Sequence, residues 1–237
     1  MPLLYQHTIS ENTKLAILKI EEPDTFFLQK VPAPPAISNL HKRLQHLAGR
    51  WLLQFLFQDF PYNEIIVADT RKPYLPYEQY HFSISHCGDY AAAIVSKNRR
   101  VGIDVEVPTE KVERIKHKFL HPKELRKLSA MRNQLAESFG QSAIGNQKTS
   151  VRKLSIVNRQ LQTTNYKLLT LLWCAKEAVF KWWSYGGVDF SEHIRLQTFT
   201  VSDEGTMNAY FQKTENKIDL KLHYKLLQDL CLVWVAE

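Results

Sequence analysis

Cysteine is scarce in this chain. Cys87, Cys174 and Cys231 are the only three in 237 residues, and they lie far apart. That usage excludes a disulfide framework and suits free thiols in a reducing compartment. Long apolar runs are missing too: none approaches the ~20 residues of a membrane-spanning helix. The first residues, "MPLLYQHTISENTK", carry no basic stretch leading into an apolar one, so no secretory signal is expected. A cytoplasmic protein is the default expectation. No Cys/His cluster has the spacing of a zinc site.

What is present is ordinary for a soluble globule: 44% hydrophobic and 23% charged residues. A chain of this length fills one large domain or two small lobes and buries roughly 70% of its unfolded surface. Thirty-one basic against 24 acidic residues give a net charge of +7. That balance favours an anionic partner, whether nucleic acid, a phosphate-rich small molecule or an acidic protein, without choosing among them.

Periodicity supplies the elements. "NTKLAILKI" reads as a strand, and "VPAPPAIS" as a Pro-rich loop with Ser38 or Asn39 as a helix cap. "NLHKRLQHLAGRWLLQFLFQ" is an amphipathic helix with Leu44, Leu47, Trp51 and Phe55 on one face and His41, Lys42, Arg43, His46 and Arg50 on the other. "EIIVA" is a short strand and "DTRKPYLP" a loop. "HFSISHCGDYAAAIVS" is a strand–turn–strand unit turning at Cys87-Gly88-Asp89. "TEKVERIKHKFLHPKELRKLSAM" is helical with an interruption at His121-Pro122. Residues 132–167 are polar with weak periodicity and read as an extended insertion. "YKLLTLLWCAKEAVFKWWSYGG" is a strong helix closed by Gly186-Gly187, and the remainder is a run of strands. A Trp- and Leu-rich helix precedes a strand–turn–strand unit twice, which suggests two similar α+β lobes.

The stretch "VGIDVE", Val101–Glu106, alternates faces: Val101, Ile103 and Val105 on one side, Asp104 and Glu106 on the other. Two acids on one strand face repel unless water, a cation or basic groups surround them, so the plain alternative is a solvated face. The helix "LLWCAKEAVFKWW" is largely apolar yet carries Lys176, Glu177 and Lys181. Glu177 and Lys181, four apart, fit a surface salt bridge or a shared site. Three carboxylates with no Cys/His cluster suit a hard divalent cation such as Mg²⁺, which takes oxygen ligands and substrate phosphates. Ser85 and His86 stand at a strand end before a Gly turn whose N–H groups suit an anion. Cys87 beside His86 suggests a cysteine hydrolase, but adjacent strand residues face opposite ways; Cys87 reads as a turn residue and Cys174 as a packing residue.

Taken in order, "RKPY", "HFSISHCGDYAAAIVS", "VGIDVE", "FLHPKEL" and "WCAKEAVFKW" resemble the successive motifs of the 4′-phosphopantetheinyl transferase superfamily, and the length resembles its long, two-lobed, surfactin-synthetase-activating type. The resemblance implies an α+β fold of two similar lobes, residues 1–102 and 103–237, related by a pseudo-twofold axis, with coenzyme A in the cleft between them. It implies transfer of 4′-phosphopantetheine from coenzyme A to a serine of an apo acyl, polyketide or peptidyl carrier protein, with release of adenosine 3′,5′-bisphosphate. By the family pattern Asp104, Glu106 and Glu177 hold Mg²⁺, with Mn²⁺ as the alternative. Glu177 is also the candidate base, and Lys181 contacts the phosphates. Ser85 and His86 lie near the 3′-phosphate, Arg71, Lys72 and Pro73 by the adenine and phosphates, and His41, Lys42 and Arg43 in the region of 3′-phosphate-binding cations. The polar 132–167 segment is longer than the family pattern and is a candidate carrier contact. The protein is expected to be a monomer.

Two competitors follow from the residues. A nucleic-acid-binding protein would use the basic charge and Trp182, Trp183 and Tyr185, but those aromatics sit at helical spacing among apolar neighbours and read as core, and converging acids do not serve a nucleic-acid groove. A catalytically inactive carrier-binding relative is the other alternative, and retention of Asp104, Glu106, Glu177 and Lys181 argues against it.

Overall fold

The computed structural model describes residues 3–32, 37–69, 72–140 and 151–237, with side chains described except at 132–140 and 151–164. In chain order the elements are β1 (Leu3–Ser10), β2 (Thr13–Lys19), α1 (Asp24–Leu28), α2 (Leu40–Leu56), a 3₁₀ turn at Tyr62–Glu64, β3 (Ile66–Val67), β4 (Pro73–Tyr74), β5 (His81–Cys87), β6 (Tyr90–Ser96), β7 (Val101–Glu106), α3 (Lys111–Phe119), α4 (Pro122–Gly140), α5 (Val151–Trp183), α6 (Phe190–His193), β8 (Ile194–Leu196), β9 (Glu204–Phe211), β10 (Ile218–Leu227) and β11 (Leu230–Ala236). Helices and antiparallel sheets are mixed, as an α+β reading expects. Among the described residues no helix is long and apolar enough to cross a membrane.

One sheet has the order β1-β2-β6-β5 and a second the order β7-β11-β10-β9-β8; β3 and β4 form a small ribbon. Alternation explains the layering. In β2 and β6, Ala16, Leu18, Ala91, Ala93 and Val95 pack with α2, while Leu15, Ile17, Ala92 and Ile94 face the other way. In β7 and β11, Val101, Ile103, Val105, Leu230, Leu232 and Trp234 meet that second face. Cys231, Val233 and Val235 turn instead toward α5. The order is therefore α2, first sheet, second sheet, α5, and strands buried on both faces lose the polar alternation of a solvated sheet. Val101, Ile103 and Val105 lie on the face expected of them.

Asn39 caps α2 by accepting from the Lys42 N–H at 2.9 Å, and Gly88, at φ 52°, turns β5 into β6. Three expectations change. The 132–167 segment is not extended: its backbone is helical at the end of α4 and through the first half of α5, while 141–150 lies outside the described residues. The α5 helix is closed by Ser184 at φ 75°, before Gly186 and Gly187, because the left-handed residue comes directly after Trp183. Tyr185 is not core. It follows that turn, is 59% exposed, and lies under the Arg100 guanidinium.

Candidate functional site

Gly102 makes the site possible. A Cβ on it would sit 2.0 Å from the Ala178 carbonyl oxygen and 2.8 Å from the Trp182 nitrogen, so only glycine lets α5 lie directly on β7. That approach brings Glu177 and Lys181 against Asp104 and Glu106. Asp104 is 3% exposed, which rules out the solvated-acid alternative. Its Oδ1 accepts from the Ser85 hydroxyl at 2.7 Å and from the Lys181 ammonium at 2.7 Å, and Lys181 also donates to Ser85 Oγ at 2.8 Å. Lys181 thus reaches across to β7 and β5 rather than forming the simple helix-surface pair its spacing allowed.

The electrostatics report the same convergence. Burial, then the charge of Asp104, pushes the Glu177 carboxyl up to about 7, with Lys181 opposing and Glu106 adding. Burial and Asp104 raise Glu106 as well, against the nearby Cys87 thiol, Lys181 and Trp173. Desolvation raises a carboxyl pKa because it penalises the charged form, and a neighbouring negative charge adds to that penalty. At the rim, partial enclosure of the imidazole and then Lys181 hold His86 below the ordinary histidine value. Burial pushes the Cys87 thiol up to about 12, which removes it as a nucleophile.

The other expected residues divide. Lys72 does not stand free. Its ammonium donates to the Lys181 carbonyl and the Ser184 hydroxyl, capping the C-terminus of α5, and burial followed by Arg100 and Lys181 lowers it to about 8. Lys72 and Pro73 line a cavity of about 410 Å³ together with Tyr74, Arg100, Trp182 and Tyr185. Arg71 lies outside the described residues. Arg43 is tied to Asp24 in an ion pair and His41 bonds Asp89 at 3.2 Å, so of the three cations suggested on α2 Lys42 is the exposed one whose ammonium stands outside those pairs. Ser85 is buried in the seam between the sheets rather than presented to solvent, since alternation puts it on the face opposite His86. Sequence reasoning passed over His46. Its ring is half-buried, its Nδ1 has no partner, and Arg50 and His86 act on it after burial to lower its pKa. The available signal was its place one turn beyond Lys42.

Among the described residues no group of three His, Cys, Asp or Glu side chains is already arranged around a metal position. The donors nonetheless fit a hard cation: all are carboxylate oxygens, and Asp104 Oδ2 is buried without a hydrogen-bond partner.

The family model described as the 4′-phosphopantetheinyl transferase superfamily matches residues 100–235, more than half of the chain. The chain belongs to this superfamily. The match begins just before β7 and runs into β11, so it contains Asp104, Glu106, Glu177 and Lys181 and leaves out α2, Lys72, Ser85 and His86. Among curated superfamily relatives, the protein named enterobactin synthase component D of Escherichia coli (strain K12) is 38% identical over 66 residues, 27% of this chain and 31% of that protein. The protein named 4′-phosphopantetheinyl transferase AcpT of Escherichia coli O157:H7 is 35% identical over 85 residues, 34% of this chain and 43% of its own length. The matched stretches span 31% and 43% of these two relatives.

Proposed function

We propose that this chain transfers the 4′-phosphopantetheine group of coenzyme A to a serine of an apo carrier protein and releases adenosine 3′,5′-bisphosphate. The observation that carries the reading is the convergence of Asp104, Glu106, Glu177 and Lys181 where α5 crosses Gly102, in a chain of this superfamily. We read the architecture as two lobes, 1–102 and 103–237, related by a pseudo-twofold axis. Support comes from the order strand, helix, hairpin, which recurs as β2, α2, β5–β6 and as β7, α5, β10–β11, the strand pairing with the second hairpin strand each time.

Asp104, Glu106 and Glu177 would hold Mg²⁺ or Mn²⁺, which when bound neutralises charge on the pyrophosphate. Lys181, 22% exposed at its side chain, is placed to exchange Asp104 for a phosphate oxygen. Glu177, whose carboxyl stands at about 7 in the metal-free chain, is the candidate to take the proton of the carrier serine, directly or through water, as its oxygen attacks the β-phosphorus. The bond from that phosphorus to the bridging oxygen then breaks, and the electron pair leaves on the nucleotide. His86 and His46, as neutral imidazole donors, and Lys42, as the cation, would form a rim for the 3′-phosphate. The cavity beside Lys72 and Pro73 takes part of the coenzyme. Acidic carriers, whether acyl, polyketide or peptidyl, suit the basic chain, and Lys111, Arg114 and Lys118 of α3 are exposed directly after β7. We read it as a cytoplasmic monomer that uses neither nucleic acid nor membrane.

The test is mass spectrometry of apo carriers of all three kinds incubated with the protein, coenzyme A and Mg²⁺. The expected result is a gain of one phosphopantetheine, lost without metal and in Asp104→Ala. Coenzyme A binding without transfer to any carrier would point instead to an inactive carrier-binding relative.

A further inference from the structure

We propose that Ser85 and Cys87 are positioning residues, side chains of the first sheet that aim the two β7 carboxylates of the second. The inference rests on the cation reading above. The strands β5 and β7 belong to different sheets, yet they run side by side. The edge N–H groups of β7 are taken up by side chains: Ile103 donates to Ser83 Oγ at 3.2 Å, Val105 to Ser85 Oγ at 3.3 Å and Val107 to Cys87 Sγ at 3.4 Å. The offset is 20 residues each time, so the strands are parallel and in fixed register. Residues 83, 85 and 87 share one face of β5, which explains why the spacing Ser-x-Ser-x-Cys meets a strand edge with one group per pleat.

Each of these side chains also faces the β7 residue before its N–H partner. For Ser83 that residue is Gly102, which has no side chain. For Ser85 it is Asp104, whose Oδ1 the hydroxyl bonds at 2.7 Å. For Cys87 it is Glu106, whose carboxylate lies close enough for the thiol to act on it. Donors on Asp104 Oδ1 leave Oδ2 as the oxygen without a partner. Two acids on one strand face would otherwise turn apart, so donors anchored to the neighbouring strand fix where both carboxylates point. Ser83 is a built-in control: it caps the same strand edge and faces no acid.

The measurement is Mn²⁺ binding by electron paramagnetic resonance on the full chain without coenzyme, for the wild type, Ser83→Ala, Ser85→Ala, Cys87→Ala and Cys87→Ser. Loss of an outer partner of a metal ligand costs about 10–100-fold in metal affinity. Ser85→Ala and Cys87→Ala are expected to weaken Mn²⁺ at least tenfold, Ser83→Ala less than twofold, and Cys87→Ser is expected to restore binding. Equal loss in Ser83→Ala, no loss at 85 and 87, no rescue by serine, or a wild type that binds no Mn²⁺ would each overturn the proposal. If Ser85→Ala does not fold, the Cys87 pair decides. A wild type that shows this Mn²⁺ pattern and modifies no carrier would support the positioning role while sinking the transfer reading. Transfer with Mn²⁺ affinity indifferent to positions 85 and 87 would do the reverse.

Discussion

Replacing Gly102 by alanine tests the contact on which the site depends. The added Cβ would lie 2.0 Å from the Ala178 carbonyl oxygen, and Cβ contacts under 3.0 Å are essentially never seen. The obstacle is helix backbone rather than a flexible side chain, so α5 must retreat from β7 by about 1 Å, since a close-packed interior has no slack to absorb the overlap. Overpacking of this kind costs roughly 1–3 kcal/mol. At about 2–4 °C per kcal/mol for a chain of this size, the melting temperature should fall by about 2–12 °C. Activity should fall further than stability. Lys181 meets Asp104 at 2.7 Å, and a retreat of about 1 Å takes that contact beyond hydrogen-bonding range. Misplacement of that size costs on the order of 10²-fold in rate. The assay is the initial rate of carrier modification under saturating coenzyme A, with thermal unfolding and coenzyme A affinity measured on the same sample. A variant that melts with the wild type and keeps its rate would refute the close-approach argument. One that loses rate only in proportion to its unfolded fraction would refute the link from packing to site geometry.

Glu177→Gln should lower the transfer rate by about 10²–10⁴-fold. In the metal-free protein the raised carboxyl also carries a stability signature. The folded carboxyl titrates above its unfolded value of 4.5, so the folded state holds the extra proton between 4.5 and about 7, and metal-free stability falls as pH rises through that window. Glu177→Gln should lose this fall, which denaturation at pH 5 and pH 8 will read. Lys176, 0% exposed, donates to Glu124 at 2.9 Å and to the carbonyls of Phe190 and Ile194. Lys176→Met leaves the Glu124 carboxylate its backbone donors, the His121 and Leu196 N–H groups, but no counter-charge, at about 3–5 kcal/mol, so the melting temperature should drop by about 6–20 °C and recover in part in Lys176→Met/Glu124→Gln. Mg²⁺ at a hundredfold over its Kd should stabilise the wild type by about 2.7 kcal/mol, and Asp104→Asn should show no such shift; equal responses would remove Asp104 from the cation site.

The legible parts of the chain were those governed by local periodicity. Alternation in Val101–Glu106 separated a buried apolar face from an acidic one, and the 3.6 period found α2 and the second half of α5. Asn39 and Gly88 act where turn and cap chemistry put them. Strand β1 escaped because it is an exposed edge, with six of its eight residues open to solvent and no apolar alternation to mark it. The helical backbone before residue 167 escaped because polar residues outnumber the few apolar ones, such as Leu154, Val157 and Leu161, that carry its period. The ion pairs and the Lys72 cap could not be read: Arg43 finds Asp24, and Lys72 finds the end of α5 more than a hundred residues away. Partners that distant in sequence are set by how the sheets stack.

That distinction separates the chemistry of the site from its geometry. The acids and the lysine come from β7 and α5, two elements whose residue types announce them. Their placement depends on residues with no charge to attract notice: Gly102, which admits the helix, and Ser85, which ties Asp104 and Lys181 to a strand of the other sheet. Three acids gathered in a desolvated place oppose folding, and Lys181 offsets only part of that repulsion, as the raised Glu106 and Glu177 attest. A chain gains nothing for its own stability from such an arrangement. Its presence at a seam where two sheets must agree in register argues that the charge is there to meet something the chain does not itself contain.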